Sequence, residues 1–242
     1  MATSTLSGVL VREARPEEIL FARRFHAERY LAEGYVDVIS PNGTIDDPYV
    51  AHSTYYIAQH EITGEMVGIC RIIDSDTHSF PMLDNMAIDP EWRHRLLATP
   101  SRQIGEVSAL VTARGELAHY AISAALCREA FRRSLTETPR RYLLCIVDRV
   151  FLRVLNGVFR AGLTEAGPVQ DYLGSTVPTV VPIDEVVIDL RTRTDAFGDY
   201  FRADLDIDTL ADAIIDLRAD RAEVVPGPAL AGSTARNRRP AS

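Results

Sequence analysis

The stretch Ile104–Thr112, reading Ile-Gly-Glu-Val-Ser-Ala-Leu-Val-Thr, most constrains how this chain can fold. Its β-branched and apolar residues predict a strand, and a helix-like pattern begins just beyond it. Yet Glu106 and Ser108 stand two residues apart within it. In an extended chain such neighbours point to the same face, so Val107 and Ala109 are expected to face the opposite way. A carboxylate inside a central strand is costly unless it is paired or has work to do. An exposed end of an edge strand would be the bland alternative.

The surrounding segments favour a central strand. Ser53 to Ala58 and Met66 to Ile73 are the clearest β signals in the chain, joined by a turn containing Thr63 and Gly64. They predict a hairpin. Ahead of it, Pro16 to Tyr30 reads as a helix, with Pro16 in the first turn and Glu17 and Glu18 at the positive end of the dipole. Leu31 to Val38 continues that helix up to a break at Gly34, and Asp46-Asp47-Pro48 marks a loop. Phe80 to Met86 is apolar but irregular, and Trp92 to Arg102 reads as a charged connection. Glu116 to Arg133 predicts a strong amphipathic helix, with Leu117, Tyr120, Ala124, Cys127 and Phe131 recurring at helical steps. Arg141 to Val147 is a buried strand, Val150 to Phe159 a second helix, and Thr164 to Tyr172 and Thr179 to Leu190 are the last strand candidates. Pro182 should place that final strand at an edge or break it.

This order of elements predicts an α/β layered domain with a mixed central sheet flanked by helices. The domain is expected to span residues 1–190, with a helical extension over 191–225 and a disordered tail over 226–242. The extension carries an amphipathic helix, Asp206 to Arg221, with an acidic row at Asp208, Asp212, Asp216 and Asp220. The tail is rich in Pro, Gly, Ala, Ser and Arg.

A net charge of −8 argues against a general nucleic-acid footprint, which needs a concentrated basic surface. Cys70, Cys127 and Cys145 are scattered, without metal-ligand or paired spacing, as in a reducing compartment. The histidines stand singly and suggest no metal site. No apolar run approaches the ~20 residues of a membrane span, and the N-terminus does not read as a signal peptide. The expected location is the cytoplasm.

Several pieces, taken in order, resemble the GNAT-type acyltransferases, most closely the acyl-homoserine-lactone synthases and N-acyl amino acid synthases. They are Asp46-Asp47 before the first hairpin strand, Gly64 to Ile73 ending in Arg71-Ile72, Phe80-Pro81-Met82-Leu83, and Glu106-Val107-Ser108. The match covers roughly Arg24 to Tyr172, with Arg24, Tyr30 and Tyr35 fitting an N-terminal pattern loosely. The resemblance implies a GNAT-like fold and attack of an amine on an acyl thioester. Those families usually carry an arginine after Glu-x-Ser, where this chain has Ala109. Coenzyme A-dependent members carry a glycine-rich pyrophosphate loop before the central helix, whereas Thr112 to Leu117 here holds a single glycine and Glu116. The resemblance therefore points to a donor on acyl carrier protein, with acyl-CoA second, and to no permanently bound cofactor.

The roles that follow are expectations. Glu106 is the general base, with Ser108 beside it. Asp47 grips the acceptor's ammonium, and Arg71 pairs with Asp47 or binds the acceptor's carboxylate. Backbone N–H groups around Val107, Ala109 and Leu110 hold the oxyanion. Tyr35, Phe80, Met82, Leu83 and Met86 contact acyl chain or substrate. Plainer readings stand beside these: Asp46 and Asp47 as turn residues, Arg71 as a structural ion pair, Ser108 as a packing residue, and Phe80, Met82, Leu83 and Met86 as core. Arginines from Arg93 to Arg102, with Arg128, Arg132, Arg133, Arg140 and Arg141, could face an acidic carrier protein. The leading function is N-acyl transfer to an amino acid or related amine. The alternatives are a lactone-signal synthase, a CoA-dependent acetyltransferase, or a silent acyl-binding module.

Overall fold

A computed structural model describes residues 4–6, 8–113, 119–137, 140–157 and 160–223. Its centre is a mixed sheet. The strands are β1 (Ser4–Leu6), β2 (Val9–Glu13), β3 (Ser53–His60), β4 (Met66–Ile73), β5 (Ile104–Thr112), β6 (Tyr142–Asp148), β7 (Thr164–Glu165), β8 (Gln170–Asp171) and β9 (Ser175–Pro182). They run in the order β1-β2-β3-β4-β5-β6-β9-β7, with β8 paired to β9. Neighbours are antiparallel except β5 and β6, which run parallel. The stretch carrying Glu106 is thus central. The N-terminal pair β1–β2, which the sequence pattern did not single out, extends the sheet beyond the hairpin β3–β4.

One face of the sheet carries α1 (Ile19–Ala32), α2 (Pro81–Asn85) and α3 (Pro90–Ala98). Ala22 of α1 packs on Tyr55, Ile57 and Ile69, while Phe80, Met82 and Leu96 pack on Ile73, Ile104 and Leu144. The other face carries α4 (His119–Thr136), whose Ile122, Ala125 and Leu126 bury Tyr56, Cys70 and Ile72. After β6 comes α5 (Arg149–Gly157), and after β9 come α6 (Ile183–Thr192), α7 (Ala196–Arg202) and α8 (Ile207–Glu223). Helices α6 to α8 share one core cluster with Phe131 of α4 and Leu143 of β6. Residues of the expected tail, and most of the Thr112–Leu117 loop, lie outside the described residues.

Three expectations are corrected. Ile183 to Leu190 is a helix, because Ile183, Val187 and Leu190 fall on one face at four- and three-residue steps and are all buried. Pro182 closes the strand and leads into that helix. Trp92 lies within α3, whose N1 position is Pro90, and Arg95 of the same helix stacks 4.7 Å over the Trp92 ring. The first helix stops at Ala32, and Gly34 turns the chain away with a positive φ of 76°.

Gly68 lets α4 sit close on β4. A methyl group there would stand 2.9 Å from Ile122 Cγ2 and 3.2 Å from Leu126 Cδ1. Gly68→Ala should therefore destabilise the fold by about 1–3 kcal/mol through overpacking. A denaturant midpoint lowered at unchanged slope is the expected result.

Candidate active site

The site is built on an interruption in the ladder between β4 and β5. Ile69 pairs with Val111, but Arg71 pairs with Ser108, so Ala109 and Leu110 together oppose Cys70. Ala109 takes a positive φ of 51° to accommodate this bulge. The bulge changes the alternation of faces. Val107 and Leu110 pack on the α4 side, whereas Ala109 joins Ala22, Tyr55 and Ile57 on the α1 side. The expectation that Ala109 shares a face with Val107 is thus corrected by the extra residue.

The same strand separates from its other neighbour. β5 and β6 pair from Ile104 and Tyr142 as far as Val107 and Cys145. Beyond that pair the two parallel strands diverge, and a cavity of about 870 Å³ enters the split. On the α1 side its walls include His26, Tyr30, Tyr35, Asp47, Arg71 and Glu106. On the α4 side they include the apolar Phe131, Val186, Leu190, Phe197 and Phe201, alongside Glu185, Asp189 and Arg193. The cavity thus joins a polar chamber to a more apolar one through the sheet, within the size range of small-molecule sites.

Glu106 is wholly buried. Its Oε2 accepts the backbone N–H of Met82 at 2.9 Å, while Oε1 has no hydrogen-bond partner among the described residues. The Met82 amide belongs to the first turn of α2, begun by Pro81, where backbone donors lack helical partners. Burial pushes the Glu106 carboxyl up to about 8, against the opposing pulls of the Met82 amide and the Arg71 charge. Near neutral pH this carboxyl therefore largely holds its proton.

Arg71 ties the other parts together. Its Nε donates to Ser108 Oγ at 2.7 Å, and its Nη1 meets Asp47 Oδ2 and approaches Tyr55 Oη at 3.5 Å. Asp47 also accepts the Tyr49 N–H through Oδ1 at 2.9 Å. Asp47 is therefore both a turn residue and half of an ion pair. Asp46 is exposed on the rim. Buried pairs of this kind are costly to break singly, because the survivor is left charged and unpaired.

Glu106, Ser108, Asp47 and Arg71 come together, and Tyr35, Val107, Ala109 and Leu110 line the same cavity. Phe80, Met82, Leu83 and Met86 do not. They are buried in the core with Leu96 and Leu144, and that segment meets the site through the Met82 backbone. Arg24 stands outside the cavity walls and holds the Asn42 carbonyl at 2.8 Å. Sequence reasoning missed His26, which was counted among isolated histidines. The available signal was its four-residue spacing to Tyr30 on one helix. It also missed the apolar wall from α6 and α7, since Ile183 to Leu190 reads as a strand. Of the arginines considered for docking, Arg128, Arg132, Arg133 and Arg140 are engaged within the chain, with Asp204, Glu129, Glu13 and Asp74. Among the described residues no cluster of three metal-ligating side chains occurs.

No protein-family model matches the chain, and no curated protein matches it in sequence. Solved structures do match its shape. The acyl-homoserine-lactone synthase LasI aligns at 24% identity and a TM-score of 0.55, over 72% of this chain and 90% of its own. FeeM, an N-acyl amino acid synthase from uncultured soil microbes, aligns at 20% identity and 0.54, over 74% and 93%. The CoA-dependent acyl-homoserine lactone synthase BjaI, solved with SAM and isopentyl-CoA, aligns at 17% and 0.58, over 86% and 90%. The chain has the fold shared by these acyl-transferring synthases.

Proposed function

We propose that this protein is an N-acyltransferase that moves a fatty acyl group from a thioester to the amine of an amino acid or related amine. The observation carrying this reading is a buried carboxyl, Glu106, with one oxygen unpartnered among the described residues, beside a cavity that joins a polar chamber to a more apolar one. The likeness in fold to LasI, FeeM and BjaI supports it. Fold alone does not carry function, so the argument rests on the site.

In the proposed reaction the acyl chain lies among Phe131, Val186, Leu190 and Phe201, and the thioester carbonyl sits where β5 and β6 part. Ionised Glu106 takes a proton from the acceptor's ammonium, directly or through water. The free amine attacks the carbonyl carbon, forming the C–N bond and an oxyanion. Backbone N–H groups around the bulge at Ala109 are the expected oxyanion donors. The intermediate collapses to the amide with cleavage of the C–S bond, the departing thiolate takes the second proton of the attacking nitrogen, and Glu106 releases the first proton to solvent. The Asp47–Arg71 pair, steadied by Ser108, orients the acceptor. The donor we favour is acyl carrier protein, because Thr112 to Leu117 is poor in the glycines that cradle a pyrophosphate. Acyl-CoA stands second, as BjaI is a CoA-dependent enzyme of this fold.

Two measurements test the reading. Purified protein incubated with acyl thioesters and amino acids should yield N-acyl amino acids by mass spectrometry, and Glu106→Gln should lose at least ~100-fold in rate, the size of a general-base contribution. An unaffected Glu106→Gln rate would remove the base assignment. If carrier protein is the donor, its Michaelis constant should rise with salt more than that for acyl-CoA.

The pH profile follows from the same carboxyl. Its value is raised from the ordinary carboxylate range to about 8. Turnover should therefore climb with pH and level off above about 8. Folding stability should move the other way. The unfolded chain releases this proton at ordinary carboxylate pH while the folded chain retains it, so stability relative to Glu106→Gln falls as pH rises through that window. Denaturant midpoints of both proteins across pH would show it.

A further inference from the structure

His26 lies outside the roles assigned above, yet it stands in the polar chamber. It projects from α1, is 7% exposed, and lines the cavity together with Tyr30, Asp47 and Arg71. Its Nε2 is buried and has no hydrogen-bond partner among the described residues. The Tyr30 ring meets its ring edge-on, with centroids 4.1 Å apart, which fixes the imidazole plane. A buried nitrogen left without a partner is destabilising, so a packing role alone would be better served by an apolar ring.

The electrostatic surroundings narrow what the nitrogen can meet. Burial and the Arg71 charge keep the imidazole neutral, pushing it down to about 4, with Asp47 opposing them. A neutral imidazole offers one N–H donor and one acceptor nitrogen. Beside it, Arg71 is engaged with Ser108 and Asp47 through Nε and Nη1, while no partner of Nη2 is found among the described residues. Both Asp47 oxygens accept hydrogen bonds, and the Glu106 Oε1 remains for an amine proton. The chamber therefore presents one open carboxyl oxygen and, with the imidazole proton on Nε2, donors from Arg71 and His26.

Resting on the acyltransferase reading, we infer that His26 is an acceptor-positioning residue: its Nε2–H, with Arg71, holds the carboxylate of an α-amino acid so that the amine meets Glu106. The acceptor class is thus a carboxylate-bearing amine. His26 touches no reacting atom. Its effect is to select the acceptor and fix its direction.

The test compares each standard amino acid with the amine lacking its carboxylate, such as phenylalanine with phenethylamine, as acyl acceptor. The wild-type protein should favour the amino acids. His26→Phe, which keeps an aromatic ring against Tyr30, should shrink that preference about tenfold, the size of one hydrogen bond to a charged group. Its Michaelis constant for the acyl donor should stay unchanged, and His26→Gln, which restores a donor, should recover part of the preference. An unaltered preference in His26→Phe, or a wild-type preference for the bare amines, overturns the inference and leaves the acyltransferase reading standing. Direct binding separates the two failures. In a ¹⁵N-histidine spectrum, assigned by the loss of one signal pair in His26→Gln, added amino acids should shift the His26 resonances and the bare amines should not. If no amino acid moves them, the inference falls whatever the turnover. If they move but no acylated product forms, the binding role stands and the acyltransferase reading fails.

Discussion

The site depends on one extra residue. Because Ala109 and Leu110 both oppose Cys70, β5 twists away from the line that would keep it paired to β6. A parallel pair without that bulge would continue its ladder past Val107, and the space between Ser108–Thr112 and Ile146–Asp148 would be filled by hydrogen bonds. The opening instead admits a cavity through the middle of the sheet. The left-handed backbone of Ala109 is a modest local cost that the flanking pairs hold in place.

Around that opening, polar groups are arranged so that only some are satisfied internally. Arg71 spans three elements, binding Ser108 on β5, Asp47 in the loop before β3 and Tyr55 on β3. These bonds keep a buried cation in one orientation. Glu106 is treated differently, with one oxygen held by the Met82 amide and the other without a partner among the described residues. Burial then sets its proton affinity, because the ionised form has too little compensation inside the sheet. A carboxyl that holds its proton up to about 8 and a fixed ion pair thus arise from neighbouring residues through different degrees of satisfaction.

The apolar chamber comes from later in the chain. Helices α6 and α7 bring Val186, Leu190, Phe197 and Phe201 against Phe131 of α4. That cluster covers the β6–β9 side of the sheet and shapes the far end of the cavity. A stretch that reads from sequence as a final strand and an extension supplies this apolar wall.

The amino-acid sequence by itself determined the hairpin, the strand bearing Glu106 and the amphipathic α4. Each carries a strong local period, two residues in strands and 3.6 in helices, that does not depend on distant partners. The adjacency of Glu106 to Ser108 on one face was also legible, since it needs only an extended backbone. Local pattern misread Ile183 to Leu190, whose β-branched residues suit a strand while its buried positions repeat as in a helix. The Asp47–Arg71 pair was among the expectations drawn from the resemblance, whereas the placing of His26 in the same chamber and the core placement of Phe80 and Met82 were decided only by tertiary structure. These contacts join segments far apart in sequence, and the bulge at Ala109 that redirects them reflects pairing across β4 rather than any preference of alanine.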